Sequence, residues 1–291
     1  TVLLTGETGT GKELAAMALH MGSPRSGGPF IRVNCAAIPD SLIESELFGH
    51  TKGSFTSAVA DKTGRFRKAH GGTILLDEIG DMSPAAQSKG LRALQERVIV
   101  PLGSTRSYPI DVRIIAATNQ SLQEAIARGS FREDLFFRLN TIEIHLPPLR
   151  ERKEDIPELA AFFIRRAGER ENRYVRGFEK RAMQLLLQHH WPGNVRELKA
   201  LVDNLVILTE SDTITAADVR RKLRINNKAS GKMKASYREA MQALEKELLT
   251  ERLCASGWNV TKAAEEMEIC RTNLYKKMKQ LGIYRPKKNE E

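Results

Sequence analysis

No stretch narrows the folds open to this chain as far as its opening run, Thr1-Val2-Leu3-Leu4-Thr5, which breaks into Gly6-Glu7-Thr8-Gly9-Thr10-Gly11-Lys12-Glu13 and then into Leu14-Ala15-Ala16-Met17-Ala18-Leu19. An apolar β-branched run, three glycines and a helix-prone segment read as strand, tight loop and helix. The glycines let the loop turn its N–H groups inward with no Cβ in the way, and the helix N-terminus adds partial positive charge at the same place. Lys12 brings a full cation to bound phosphates. The spacing fits G-x-x-x-x-G-K-[ST] except at its end, where Glu13 replaces the hydroxyl that usually ligates Mg²⁺. A metal there has to lean on another carboxylate and on water. The bland alternative, a glycine-rich turn with a surface lysine, is disfavoured by the strand before it and the helix after it.

A second apolar run, Thr73-Ile74-Leu75-Leu76, ends in Asp77-Glu78. Continuous apolar runs suit parallel strands buried on both faces, and ligands sit at the carboxyl ends of such strands. Asp77 is thereby placed to hold Mg²⁺ and Glu78 to deprotonate an attacking water. An exposed acidic turn is the alternative. Val112 to Thr118 is another such strand, closed by Asn119, which either contacts phosphate and water or merely ends the strand. Arg132 and Arg138, six residues apart, are compatible with one site or with two solvated surface charges. Gly53-Ser54-Phe55-Thr56-Ser57-Ala58 puts one aromatic among small residues, which reads as a projecting loop with an apolar tip.

The 291 residues suffice for two or three domains. A net charge of +10 favours an anionic partner without choosing nucleic acid over a membrane surface. Cys35, Cys254 and Cys270 have neither an even count nor C-x-x-C spacing, so no disulfide framework or zinc site is indicated. With no membrane-length apolar run and no signal peptide, a reduced, cytoplasmic protein is expected. Thr1 already lies in the first strand, so sequence upstream of it is expected too.

The α/β pattern ends near Leu146, and helical spacing continues to about Leu223. Within it, Asn194 with Glu197 three residues on reads as a capping box. Arg196 in that first turn opposes the helix dipole and calls for an anion. Residues 224–236 are polar, small and basic, as a linker is. A helix is expected from Tyr237 to Cys254, then Thr261 to Met267 and Arg271 to Leu281 around a short turn. From Arg224 on there are fifteen Lys and Arg against nine Asp and Glu. This fits a helix-turn-helix in which Arg271, Thr272 and Asn273 meet base edges and Tyr275, Lys276 and Lys277 support DNA contact. A three-helix protein-interaction bundle is the alternative.

On these residues the chain resembles the sigma-54-dependent transcriptional activators, the NtrC-type enhancer-binding proteins of the AAA+ superfamily. The motifs are the glycine loop with its Glu13, Glu46-Leu47-Phe48-Gly49, Leu75 to Gly80, Phe131-Arg132-Glu133-Asp134-Leu135 and Trp191 to Leu198. The resemblance implies an α/β fold, a three-layer AAA+ sandwich with a parallel sheet in residues 1–147. A helical lid follows in 148–223, then a linker in 224–236 and a Fis-type all-α helix-turn-helix domain in 237–291. It implies a homo-oligomeric ring, typically a hexamer, binding ATP and Mg²⁺ between subunits and acting on sigma-54 RNA polymerase at enhancer-like DNA sites. Arg132 and Arg138 look like arginine fingers, Arg196 like the second sensor and Asn119 like the first. Asn34 matches the residue that holds the catalytic glutamate, here Glu78. One departure stands out: the family's Gly-Ala-Phe-Thr-Gly-Ala loop is Gly53-Ser54-Phe55-Thr56-Ser57-Ala58 here. It leaves open a DNA-binding regulator of the same descent that no longer touches sigma-54; a second alternative is a general AAA+ remodeller acting on another protein, with the basic tail as an adaptor bundle.

Overall fold

The computed structural model describes residues 1–55, 58–209, 211–230, 245–246, 249–250, 252–254, 256, 258–267 and 269–283. Thr56, Ser57, residues 231–236 of the expected linker and the start of the helix expected from Tyr237 lie outside them. The described residues fall into two compact units, Thr1–Arg220 and Arg221–Glu291.

The first unit is built on the apolar runs. β1 (Val2–Thr5), β2 (Phe30–Asn34), β5 (Thr73–Asp77), β8 (Arg113–Thr118) and β9 (Glu143–His145) form one parallel sheet in the order β2-β5-β8-β1-β9. Alternate residues feed two cores. Val2, Leu4, Leu75, Ile115 and Ala117 pack with Ala16 of α1 (Lys12–Met21). Leu3, Val33, Ile74, Leu76, Ile114 and Ala116 face the other side. There they join residues of α2 (Asp40–Phe48), α3 (Arg65–Lys68), α4 (Pro84–Glu96), α5 (Leu122–Ala127) and α6 (Glu133–Leu139). The result is the three-layer sandwich that the resemblance implies, built on the parallel strands expected from the runs.

Two short hairpins rise from this body. β3 (Gly49–His50) pairs with β4 (Lys62–Thr63), and β6 (Val98–Ile99) with β7 (Tyr108–Pro109). The Leu102 N–H donates to Gly49 O at 2.9 Å and the Thr51 N–H to Leu102 O at 3.0 Å, so backbone bonds bind the two together.

The helical part comprises α7 (Ile156–Glu171), α8 (Lys180–Gln188), α9 (Asn194–Leu208) and α10 (Ala216–Ser230), with a two-stranded pair β10 (Gly177–Phe178) and β11 (Thr213–Ile214). Trp191 anchors it, fully buried, with Nε1 donating to Leu186 O at 2.9 Å. α10 corrects the expected linker: the helix continues through Ser230 rather than stopping at Leu223. Arg224, Lys228 and Ala229 are good helix formers and offset the weaker Asn226 and Asn227, so a polar run need not be a loop.

In the second unit α11 (Val260–Glu266) is capped by Asn259, whose Oδ1 accepts the N–H groups of Thr261 at 3.2 Å and Lys262 at 3.3 Å. α12 (Arg271–Leu281) follows, and Leu249, Leu253, Ala263, Ala264, Leu274 and Ile283 form a small core. No described helix is long and apolar enough to cross a membrane.

Ile115 lies at the centre of the sheet with no exposed surface. Ile115→Ala should lower unfolding free energy by about 2–5 kcal/mol. Denaturant titration checks this, and a loss well under 1 kcal/mol would mean that the sheet centre is not the tight core described.

Candidate active site

Parallel register brings the strand ends to one edge: Asn34 pairs with Asp77, and Thr5 with both Thr118 and His145. The loops after β1, β5 and β8 therefore converge. Lys12, only 6% exposed, donates from Nζ to Gly6 O at 2.9 Å and Glu7 O at 3.3 Å, and lies 3.9 Å from Glu78 Oε1. Burial pulls its pKa down, and the Glu78 carboxylate partly restores it. Its hydrogen-bond acceptors are neutral carbonyls, weaker than a phosphate oxygen would be. Glu13 is exposed and ion-paired with Arg32, and so is occupied outside the cradle.

Glu78 has left-handed backbone (φ 51°). Its Oε2 accepts the Asn119 N–H at 3.1 Å, and Asn119 Nδ2 donates to Thr8 Oγ1 at 2.8 Å. Asn119 thus links the carboxylate to the glycine loop. Asp77 Oδ1 accepts the Glu78 N–H at 3.2 Å. Burial raises both carboxyl pKa values, with Lys12 opposing. Among the described residues no cluster of three His, Cys, Asp or Glu could hold a metal. A Mg²⁺ ion here would have Asp77 as a protein ligand and would need phosphate and water oxygens for the rest. Asn34 differs from expectation: its side chain accepts the Ala37 N–H at 3.2 Å, capping a 3₁₀ turn, and the bond to Glu78 comes from Asn119 instead.

The lid reaches the same loop. A Cβ at Gly9 (φ +82°) would fall 2.4 Å from Gly193 O, and one at Gly6 (φ +146°) 2.5 Å from Leu146 O, so neither position admits a side chain. The Arg196 N–H donates to Gly9 O at 3.3 Å, and its exposed side chain is close enough to act electrostatically on Asp77 and Lys12. Asn194 is not the expected cap. Gly193 occupies that position, and its N–H donates to Glu197 Oε2 at 2.9 Å. Fully buried Asn194 instead donates to Glu7 Oε2 at 3.1 Å and Thr8 O at 3.0 Å, and accepts the Leu149 N–H at 2.8 Å.

Two arginines escaped the sequence reading. Arg150 forks onto Glu7 at 2.8 and 2.6 Å, and Arg152 Nη2 donates to Thr10 O at 2.7 Å. Their place just after Pro147-Pro148, where the sheet passes to the lid, was the signal available. Thr10, Leu14, Leu146, Arg152, Phe162 and Val195 line a cleft of about 550 Å³ beside the loop.

The other candidate residues are dispersed. Arg132 forks onto Asp134 at 3.0 and 2.6 Å and reaches Ser88 Oγ at 3.2 Å. Arg138, on α6 and six residues on, lines a separate cavity with Arg25, Arg97 and Arg113. Phe55 does not project freely: it is half-buried, edge-on to His50 at 4.9 Å, and the loop base closes through the Gly53 N–H to Ala58 O at 2.9 Å, with Ser54 between. On α12, Arg271, Thr272, Asn273, Tyr275 and Lys276 are exposed, and Arg271 lies over the Tyr275 ring. Lys277 is half-exposed and ion-paired with Glu245.

Comparison with known proteins gives three matches along the chain: a sigma-54 interaction domain over residues 1–145, an AAA+ ATPase lid domain over 150–246, and a bacterial regulatory protein module of the Fis family over 240–281. The transcriptional regulatory protein ZraR of Salmonella typhimurium is 46% identical over 96% of this chain and 63% of its own length. GlrR of Escherichia coli is 48% identical over 95% and 61%. The crystal structure of NtrX from Brucella abortus in complex with ADP superposes with a TM-score of 0.71 at 37% identity, covering 97% of this chain and 64% of that one. The chain thus spans a little under two thirds of the curated relatives it matches.

Because burial raises the pKa of Glu78, the folded chain favours its protonated form. The penalty is absent below the ordinary carboxyl range and grows as pH rises through that range to the raised value. Glu78→Gln, neutral throughout, should melt above the wild type near neutral pH and lose that advantage by about pH 4. A variant melting below the wild type at neutral pH would contradict the buried-carboxylate assignment.

Proposed function

Because this chain belongs to the AAA+ family of sigma-54-dependent activators, carrying its interaction domain, lid and Fis-type module in order, we propose that it is an activator coupling ATP hydrolysis to remodelling of sigma-54 RNA polymerase. The observation that carries the reading is the 3.9 Å approach of Lys12 to Glu78. It gives one compartment containing a phosphate-binding cation and a water-activating carboxylate.

In this reading the amides of Gly9 to Lys12 and the Lys12 ammonium bind the triphosphate, exchanging Gly6 and Glu7 carbonyls for phosphate oxygens. Thr8, Thr10 and Glu13 belong to the same loop, and the cleft beside Leu14, Leu146 and Phe162 takes the base. Asp77 holds Mg²⁺, which when bound offsets phosphate charge. Glu78, its basicity raised by burial, takes the proton of the attacking water while the Asn119 N–H orients it. Arg196 leans in from the lid. NtrX has been crystallised with ADP and with ATP, which supports nucleotide as the ligand.

Arg132 and Arg138 are exposed on the subunit surface, consistent with fingers entering a neighbour's site in a homo-oligomeric ring, which we take to be a hexamer. The loop with Phe55 and Thr56 delivers the motion to sigma-54, and release of Phe55 from His50 is part of that delivery. The C-terminal module binds upstream DNA through Arg271, Thr272 and Asn273 at base edges and Lys276 at phosphate. We place the protein in the cytoplasm, where these partners are.

Purified transcription with and without sigma-54 tests the whole. Phe55→Ala should retain ATPase activity and lose open-complex formation by roughly a hundredfold, within the range by which lost positioning slows a catalysed step. Unchanged activation would remove the loop from the mechanism, and activity without sigma-54 would favour a general remodeller. Glu78→Gln subunits should bind ATP without turning it over, and mixing them with Arg132→Ala, Arg138→Ala subunits should restore hydrolysis. Intact mixed rings without rescue would show that the arginines do not act between subunits.

A further inference from the structure

The glycine-loop motif demands nothing of the position held by Glu7. A carboxylate in a loop shaped for anions repels them unless its charge is taken up. Here it is taken up completely. Arg150 donates to both Glu7 oxygens, at 2.8 and 2.6 Å, and Asn194 Nδ2 adds a third bond at 3.1 Å. These two partners pull the Glu7 pKa down to about 2, so the group stays ionised at any working pH.

Asn194 is the part that transmits. It is fully buried, has left-handed backbone (φ 51°), and is the first residue of α9, two before Arg196. A strained non-glycine conformation persists only where its surroundings over-determine it. The surroundings are Glu7, Thr8 and the Leu149 N–H, which join the phosphate loop, the segment after the sheet and the lid helix. Glu7 and Arg150 side chains are 43% and 38% exposed, and an exposed ion pair contributes little to global stability. A forked pair joined to a buried amide fixes orientation instead.

We infer that Glu7, through Arg150 and Asn194, is a positioning residue that holds the lid over the phosphate loop and sets how tightly nucleotide is held. The inference rests on the ATPase reading of the site. A loosened network lets α9 and Arg196 drift from the loop while Lys12, Asp77 and Glu78 keep their places. The loss therefore falls on binding more than on turnover.

The test uses the whole chain, with calorimetric titration of ADP and ATP and steady-state hydrolysis. Glu7→Gln keeps the shape and removes the charge. The expected result is an ADP Kd and an ATP KM raised about tenfold, with kcat changed by less than about threefold. Glu7→Asp should recover part of the affinity. Arg150→Gln should match Glu7→Gln, and the double variant should be no worse than either, because both act through one network. Tighter nucleotide binding in Glu7→Gln, strictly additive losses, or a fall in kcat alone would overturn the inference. Should Glu7→Gln not fold, Arg150→Gln carries the comparison by the same criteria. A wild-type chain that takes neither ADP nor ATP would overturn the ATPase reading and this inference together; wild-type binding with unaltered variants would overturn the inference alone.

Discussion

The architecture depends on the parallel register of β1, β5 and β8. Strands that all end at one edge deliver their following loops to one place, and with every strand in the described sheet parallel, no loop is lost to the opposite edge. Lys12 and Glu78, 66 positions apart in the numbering, meet because Leu75 is level with Ile115 and Ile115 with Val2. The apolar runs that hold this register are thus a condition of the chemistry, not a neutral scaffold beneath it. Their burial also creates the low-polarity surroundings that shift Lys12 down and Asp77 and Glu78 up.

Much of this was legible from residue patterns. Continuous apolar runs ending in polar residues located β1, β5 and β8, and glycine spacing located the cradle, because these features are local and periodic. What was hidden depends on contacts between distant segments. Asn194 looked like a helix cap because its spacing to Glu197 is right; only the folded chain shows its amide spent on Glu7, Thr8 and Leu149. Asn34 looked like the keeper of Glu78, yet a 3₁₀ turn claims its side chain. The spacing of Arg132 and Arg138 fits either one site or two surface charges, and within one subunit they have different surroundings, Asp134 and Ser88 for the first and a cavity with Arg25, Arg97 and Arg113 for the second. Arg150 and Arg152 gave no periodic signal, and two charges after a Pro-Pro pair are indistinguishable from surface charges until their partners are known.

The helical ends follow the same logic. Polar composition marked 224 as the start of a linker, while backbone hydrogen bonding carries α10 to Ser230. Arg271, Thr272, Asn273, Tyr275 and Lys276 are exposed on α12, while half-exposed Lys277 is ion-paired with Glu245. Side chains on a helix alternate between solvent and neighbouring helix every few residues, so a run of lysines on α12 does not share one fate.

The central claim is that the glycine loop and the strand-end carboxylates surround one triphosphate, with Lys12 as its principal cation. Calorimetric titration of ATP into Lys12→Ala, beside the wild type, measures this most directly. The account expects affinity to fall by about a hundredfold or more, as when a desolvated charge-assisted contact is lost. Equal affinity in the two proteins would contradict it, because nucleotide would then bind somewhere the buried lysine does not reach.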